Sequence, residues 1–218
     1  MNVEVVIPHG LEDDTARIDV RVWIVARYRR EHPEWKITLA PCPTPDWSKG
    51  LAANPVIAAS DADIIVLADA DSYVHPRTLT DAAAGALEHG WAVPHTRVKR
   101  ITQHDSARIL SGEIVPRPAV MRESKALPGG GIVAATGHAW RTVNGVDPRF
   151  CGWGGEDFAL GAALRMLVGP PWGSPPTVLW HLWHPWDRRP ARATSALWRR
   201  YRNARRSPAD MADIVKEW

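Results

Sequence analysis

Apolar positions along this chain fall in short continuous runs that alternate with longer stretches of helical spacing. Runs at residues 3–8, 35–40 and 63–68 predict three strands. The third run, DIIVLA, carries five consecutive apolar residues and is typical of a central strand that is covered on both faces. These three runs therefore predict the centre of a buried sheet.

The stretches between the runs predict helices. Asp14 suits the N-cap of a helix that reaches about residue 30. Residues 49–60 also have helical character, but Pro55 interrupts them. We therefore expect Asn54 to cap a short helix that begins at the proline.

The second half of the chain continues the alternation. Polar residues 98–127 predict loops with short strands. The remaining elements are predicted as strands at 91–95, 129–135 and 177–185 and as helices at 76–89, 138–143, 155–168, 189–206 and 208–218. Strands that alternate with helices indicate an α/β fold, with a Rossmann-like, mostly parallel central sheet flanked by helices.

Composition narrows the class of protein. The chain has 218 residues, which suits one globular domain, and neither a signal peptide nor an apolar run long enough to span a membrane is apparent. Two isolated thiols, Cys42 and Cys151, are typical of a reducing compartment, so we expect a cytoplasmic protein. The net charge is only +3, but residues 187–206 hold eight arginines and one aspartate. We accordingly expect a main domain at 1–186 and a basic helical extension at 187–218, which either contacts a polyanion or is merely solvated.

The first candidate site is Asp69-Ala70-Asp71, directly after the strongest predicted strand. Ligand sites of open α/β sheets lie beyond the carboxyl ends of strands. Two carboxylates one residue apart suit a hard divalent cation, although a surface turn is the simpler alternative.

The second candidate site is GWGGED at residues 152–157. Its two carboxylates begin a predicted helix, where acidic residues are common because they complement the helix dipole. Capping alone does not require a tryptophan among glycines, whereas a mobile loop that closes over a substrate does. One carboxylate would orient an acceptor hydroxyl and the other would take its proton.

The third candidate site is the histidine pair in His181-Leu182-Trp183-His184. Imidazole suits manganese and other transition ions. Residues three apart on a strand point to opposite faces, so we expect only one of the two histidines to bind an ion unless the strand bends.

In order and spacing, these motifs resemble the GT-A glycosyltransferases, especially the family-two-like enzymes and the inverting β-galactosyltransferases. The resemblance covers residues 3–185 and rests on VLADAD, NGVDPRFCGWGGEDFAL and HLWH, of which the second is by far the most specific. It implies transfer of a sugar from a nucleotide-diphosphate sugar, commonly a UDP-sugar, with Mn²⁺ or Mg²⁺ and with inversion.

The resemblance also implies a metal site and a catalytic pair. Asp71 matches the direct metal ligand, and Asp69 matches the residue that contacts the ribose or the water shell of the metal. His184 matches the late histidine that completes the metal site, with His181 as a second candidate. Asp157 would be the general base.

The remaining implied contacts are with the two substrates. Glu156, Trp153 and Gly154 would bind the acceptor, and Trp153 would also lie on the donor phosphates. The implied donor contacts are Pro8, Asp14, Arg17, Lys49, Asn54 and Asp69. Pro55 departs from the continuous helix that is usual in the family, which puts Lys49 and Asn54 in doubt.

The acceptor stays open at this point. The arginine-rich extension would suit DNA with hydroxymethylated bases, but it would equally suit a glycan or glycolipid at an anionic membrane surface. Two other classes of protein remain as alternatives. A nucleotidyltransferase would explain the paired carboxylates, and a non-catalytic nucleic-acid-binding module would explain the arginines but not the acidic motifs.

Overall fold

The computed structural model describes residues 1–11, 14–152, 154–173, 175–185 and 194–218. The strands in these residues are β1 Val3–His9, β2 Lys36–Pro41, β3 Ile64–Ala68, β4 Ser72–Tyr73, β5 Trp91–Ala92, β6 Arg97–Ile101, β7 Val120–Lys125, β8 Ile132–Thr136 and β9 Val178–His181. The helices are α1 Thr15–Glu31, α2 Lys49–Ala59, α3 Pro76–His89, α4 Gln103–Leu110, α5 Gly137–Thr142, α6 Glu156–Leu167, α7 Thr194–Ala204 and α8 Pro208–Val215.

The central sheet has five strands in the order β2-β1-β3-β8-β5. Strand β1 is parallel to both β2 and β3, whereas β8 is antiparallel to β3 and to β5. The predicted α/β fold is confirmed, and the sheet is mixed rather than purely parallel, because β8 runs opposite to the other four strands. The reason lies in the pairing of Ile132 with Ala68, because β8 enters the sheet beside the carboxyl end of β3 and must run back along it.

A second sheet of four strands has the order β4-β9-β6-β7. Strands β6 and β7 come from the polar region in which we predicted loops and short strands, and α4 lies between them. Helix α4 was not expected in this polar region. Its N-cap Thr102, whose side chain accepts a hydrogen bond from the Asp105 amide, is the local signal for it.

Helix α2 passes through Pro55 without ending. The helix begins after Ser48, whose side chain accepts a hydrogen bond from the Leu51 amide, so the prediction that Asn54 caps a shorter helix is wrong. The proline removes one backbone hydrogen bond, and burial of Ala53 and Ile57 against the sheet opposes that loss.

The core lies in two layers, one on each face of the central sheet. Helices α1 and α3 cover one face, and Ile24 and Leu79 are buried there. On the other face, α6 packs against α7 and α8, with Tyr201 and Met211 buried. The predicted boundary at residue 186 falls among residues 186–193, which lie outside the described part of the chain. No helix among the described residues is long and apolar enough to cross a membrane.

Candidate functional site

A cleft of about 1090 Å³ opens at the carboxyl ends of β1 and β3, between the two sheets. The Asp69-Ala70-Asp71 turn follows β3 and lies on the floor of this cleft. The other predicted site residues that line it are Pro8, Arg17, Lys49, Gly154, Glu156, Asp157, His181 and His184. Its position agrees with the rule that ligands bind beyond the carboxyl ends of strands in open α/β sheets.

Asp71, His181 and His184 form a group that could hold a metal ion. One ligand atom from each residue lies within 4.8 Å of the other two. The Asp71 Oδ2 atom is 3.1 Å from His184 Nε2 and 3.6 Å from His181 Nε2. Burial by itself would raise the pKa of Asp71, but the two histidines and a hydrogen bond from Ser72 hold that pKa well below its usual range.

The geometric objection to two histidine ligands does not apply here, because the chain bends after the strand. Strand β9 ends at His181, and the chain leaves the strand before His184. Residues three apart therefore no longer point to opposite faces, and both imidazoles turn toward Asp71.

The histidine rings are oriented by backbone carbonyl oxygens. His181 Nδ1 lies 2.8 Å from Leu182 O, and His184 Nδ1 lies 2.9 Å from Pro185 O. A carbonyl oxygen only accepts, so each Nδ1 must carry its proton, and a ring that is neutral then has Nε2 free to bind an ion. This is the usual arrangement around a metal-binding histidine.

Asp69 is linked to Asp157 by a buried lysine. The Lys49 Nζ atom lies 2.8 Å from Asp69 Oδ1 and 2.7 Å from Asp157 Oδ1. Only 6% of the Lys49 side chain is exposed, so the ammonium group is compensated by carboxylates rather than by water. Asp69 thus contacts Lys49 and lies outside the group formed by Asp71 and the two histidines.

Asp157 is in an environment that suits a general base. Burial raises the pKa of Asp157 to about 7, and Glu156 also raises it, whereas Lys49 acts in the opposite direction. A carboxyl group with a pKa near neutrality can take and return a proton at physiological pH.

Glycines allow α6 to bring Asp157 into the cleft. A Cβ atom on Gly129 would lie 2.0 Å from Asp157 O, and one on Gly161 would lie 2.7 Å from Gly129 N. A Cβ atom on Gly130 would lie 2.7 Å from Asp157 Oδ2. The PGGG segment before β8 therefore lets the backbone of α6 approach closely, a role that its assignment as plain strand did not anticipate.

The glycines of the GWGGED motif have a backbone requirement. Gly152, Gly154 and Gly155 have φ angles of 81°, 106° and 98°, which side chains rarely adopt. Glu156 follows, buried, with its Oε2 atom unpaired among the described residues. The predicted contacts of Trp153 with donor and acceptor lie outside the described residues.

Two of the expected donor contacts do not line the cleft. Asp14 caps α1 by accepting a hydrogen bond from the Arg17 amide at 2.9 Å. Asn54 donates from Nδ2 to Val146 O at 2.8 Å and accepts at Oδ1 from the Val146 amide at 2.9 Å. Both side chains are thus engaged in supporting the backbone.

Two cleft residues were missed by sequence reasoning. His95 is buried, neither of its ring nitrogens has a hydrogen-bond partner among the described residues, and burial lowers its pKa to about 4. Arg100 lies on β6, in register with His181. A histidine at the end of a predicted buried strand was an available signal for His95, whereas Arg100 could not be separated from its neighbouring cations without the sheet register.

Comparison with known proteins agrees with this geometry. A family described as the N-terminal domain of galactosyltransferase matches residues 115–166. A search for similar sequences among curated proteins gives no match.

Several solved structures share the fold. Drosophila β1,4-galactosyltransferase 7, in complex with manganese, UDP-Gal and xylobiose, is 14% identical with a TM-score of 0.57, covering 91% of this chain and 80% of that one. GalNAc-T7, with UDP, GalNAc and Mn²⁺, is 12% identical with a TM-score of 0.56, covering 93% of this chain and 48% of the other. S. aureus TarS, in complex with UDP, is 13% identical with a TM-score of 0.50, covering all of this chain and 70% of the other.

At these identities the likeness establishes the fold, and the family match adds a local correspondence over the segment that includes the second acidic motif. The chain therefore has the GT-A glycosyltransferase fold. The match of residues 115–166 to the galactosyltransferase domain supports the assignment of the chain as a glycosyltransferase.

Proposed function

We propose that the protein transfers a sugar from a UDP-sugar to an acceptor hydroxyl, with Mn²⁺ held by Asp71, His181 and His184. The observation that carries this proposal is the meeting of that metal-binding group with Asp157 in one cleft. The structural neighbours support it, because structures of two of them contain Mn²⁺ together with UDP-Gal or UDP.

The donor set fits the proposed ion. Two imidazole nitrogens and one carboxylate oxygen suit manganese or another first-row transition ion. Mg²⁺ is the alternative, but it prefers oxygen ligands and so fits this set less well. The bound ion would act as a Lewis acid that stabilises the negative charge on the departing diphosphate. Asp69 would contact the ribose or the water shell of the ion, while Pro8 and Arg17 would line the nucleotide side of the cleft.

Asp157 would remove the proton from the attacking acceptor hydroxyl. Attack from the face opposite the leaving diphosphate would invert the anomeric centre in one step. Glu156, whose buried carboxylate has an unpaired oxygen, would accept a hydrogen bond from the acceptor beside Gly154. Lys49 would hold Asp157 in position through its 2.7 Å contact.

For the acceptor, we propose a glycan or glycolipid ahead of modified DNA. Three arginines of the C-terminal region already have partners: Arg200 with Glu217, Arg202 over Trp198 and Arg205 over Phe158. The carboxylate partner of Arg200 leaves one fewer uncompensated cation for DNA phosphates than the sequence suggested. The galactosyltransferase neighbour holds a disaccharide, xylobiose, which also favours a sugar acceptor.

Two free thiols, Cys42 and Cys151, support a cytoplasmic location.

The test is a product assay with Mn²⁺ and a panel of UDP-, GDP- and TDP-sugars, with and without oligosaccharides, glycolipid vesicles and hydroxymethylated DNA. We expect metal-dependent release of UDP from one donor, abolished by EDTA and by Asp71→Asn but not by Asp61→Asn on the exposed surface. Release of pyrophosphate from nucleoside triphosphates would instead indicate a nucleotidyltransferase. DNA retention without any release would indicate a binding module.

A further inference from the structure

One row of side chains crosses the second sheet, and three of its four members, Ser72, His181 and Arg100, line the cleft. Ser72 pairs with His181, His181 pairs with Arg100, and Arg100 pairs with Arg122. Residues directly opposite each other on neighbouring strands project to the same face. The row therefore runs from the metal-binding group on β9 to two arginines on β6 and β7.

The two arginines form an uncompensated pair of like charges. Such charges directly opposite each other on neighbouring strands are destabilising. Arg100 is half-buried, Arg122 is exposed, and neither has a carboxylate partner among the described residues.

The other face of the same strands carries a carboxylate. There Glu123 forms an ion pair with Arg97, and one of its oxygens lies 3.9 Å from Lys99 Nζ. Arg100 and Arg122 have no such partner among the described residues, so their charges remain open to an anion.

The pair lies within reach of the metal-binding group. Neighbouring strands are about 4.8 Å apart, so Arg100 is one strand from His181 and Arg122 is two strands, or roughly 10 Å, away. The register shifts between Arg100 and Ile101, which adds Met121 as an extra residue of β7 beside the pair, and Met121 lines the cleft. An anion held by both arginines would consequently lie beside the proposed ion rather than on it.

We propose that Arg100, which lines the cleft, and the exposed Arg122 beside it form a phosphate-binding subsite at the edge of the cleft. Guanidinium groups bind phosphate oxygens through paired, charge-assisted hydrogen bonds, and an anion between the two would remove their mutual repulsion. The assignment of that phosphate rests on the proposed function: it belongs either to the diphosphate of the donor or to a phosphorylated acceptor. A phosphate of the donor would occupy the same place as the phosphates of bound UDP, whereas a phosphate of the acceptor would lie beside bound UDP.

The experiment measures binding of inorganic pyrophosphate to the full chain by calorimetry, at low ionic strength and with EDTA. The variants are Arg100→Gln, Arg122→Gln and the double substitution, with Arg29→Gln on the exposed surface of α1 as the matched control. We expect the double variant to weaken pyrophosphate binding at least ~10-fold and the control to leave it unchanged. Absence of binding to the unmodified chain, or equal binding by all variants, would overturn the subsite.

A second titration uses UDP with Mn²⁺. A parallel loss of UDP affinity in the arginine variants assigns the subsite to the donor. Unchanged UDP affinity, with pyrophosphate still binding to the UDP-saturated protein, assigns it to a phosphorylated acceptor. If the unmodified chain binds no UDP in the presence of Mn²⁺, the proposed function fails, while the metal-free pyrophosphate result still decides the subsite.

Discussion

Lys49 Nζ lies 2.7 Å from Asp157 Oδ1, and this contact joins α2 to the first turn of α6 across the floor of the cleft. A buried ammonium group therefore touches the carboxylate that we propose as the general base. Two consequences for activity follow from the electrostatics of this pair.

The first concerns the pH dependence of transfer. Burial raises the pKa of Asp157 to about 7, and a base must be deprotonated to act. The rate should therefore rise as the pH increases through about 7 and level off above it. Asp157→Asn should lower the rate at least ~100-fold while UDP binding survives. A variant that keeps both the rate and the pH profile would rule out Asp157 as the base.

The second concerns Lys49 itself. Its positive charge lowers the pKa of Asp157 against the effect of burial, so Lys49→Met should move the pH profile to higher pH and reduce the rate at pH 7. Lys49→Arg keeps the charge and is the matched control, expected to shift the profile less. A purely structural lysine would change melting temperature in the Met variant without moving the profile.

Metal binding should depend on both histidines. Replacing His181 or His184 with Ala should each weaken Mn²⁺ affinity at least ~10-fold, because each removes one of three ligand atoms. Electron paramagnetic resonance of free Mn²⁺ measures this directly. His138→Ala, which changes an exposed side chain of α5, is the control and should bind normally. Full affinity in either ligand variant would remove that histidine from the site.

Helix α6 packs so closely against the PGGG segment that an added methyl group should clash there. A Cβ atom at position 161 would lie 2.7 Å from Gly129 N, so Gly161→Ala should destabilise the fold by about 1–3 kcal/mol. Gly173→Ala, where nothing lies within 4 Å, is the control and should be nearly neutral. Equal denaturation midpoints for the two variants would show that the backbone moves apart at little cost.

Much of the site could be predicted from the sequence because its motifs consist of neighbouring residues. The carboxylates after β3, the acidic start of α6 and the histidines at the end of β9 and just beyond it are each short motifs whose positions follow from strand and helix ends. Pairing within the sheets was less accessible. The antiparallel return of β8 and the row from His181 to Arg122 depend on register between strands that are distant in sequence.

Asn54 and Pro55 show that local sequence rules can also fail within a single helix, α2. Local rules predicted that the helix breaks before the proline, but burial of Ala53 and Ile57 and the two hydrogen bonds between Asn54 and Val146 keep α2 continuous. Lys49 thereby lies in the first turn of a full helix, where it reaches both Asp69 and Asp157.

The alternation of strands and helices, the acidic and histidine motifs and their order could all be predicted from the amino-acid sequence. They depend on apolar periodicity and on the chemistry of adjacent residues, both of which act over a few positions. Three relationships emerge only in the folded chain: both histidines face Asp71, Lys49 bridges two carboxylates, and two arginines lie opposite each other beside the cleft. Burial and strand register produce those relationships, and both arise only when distant segments pack together.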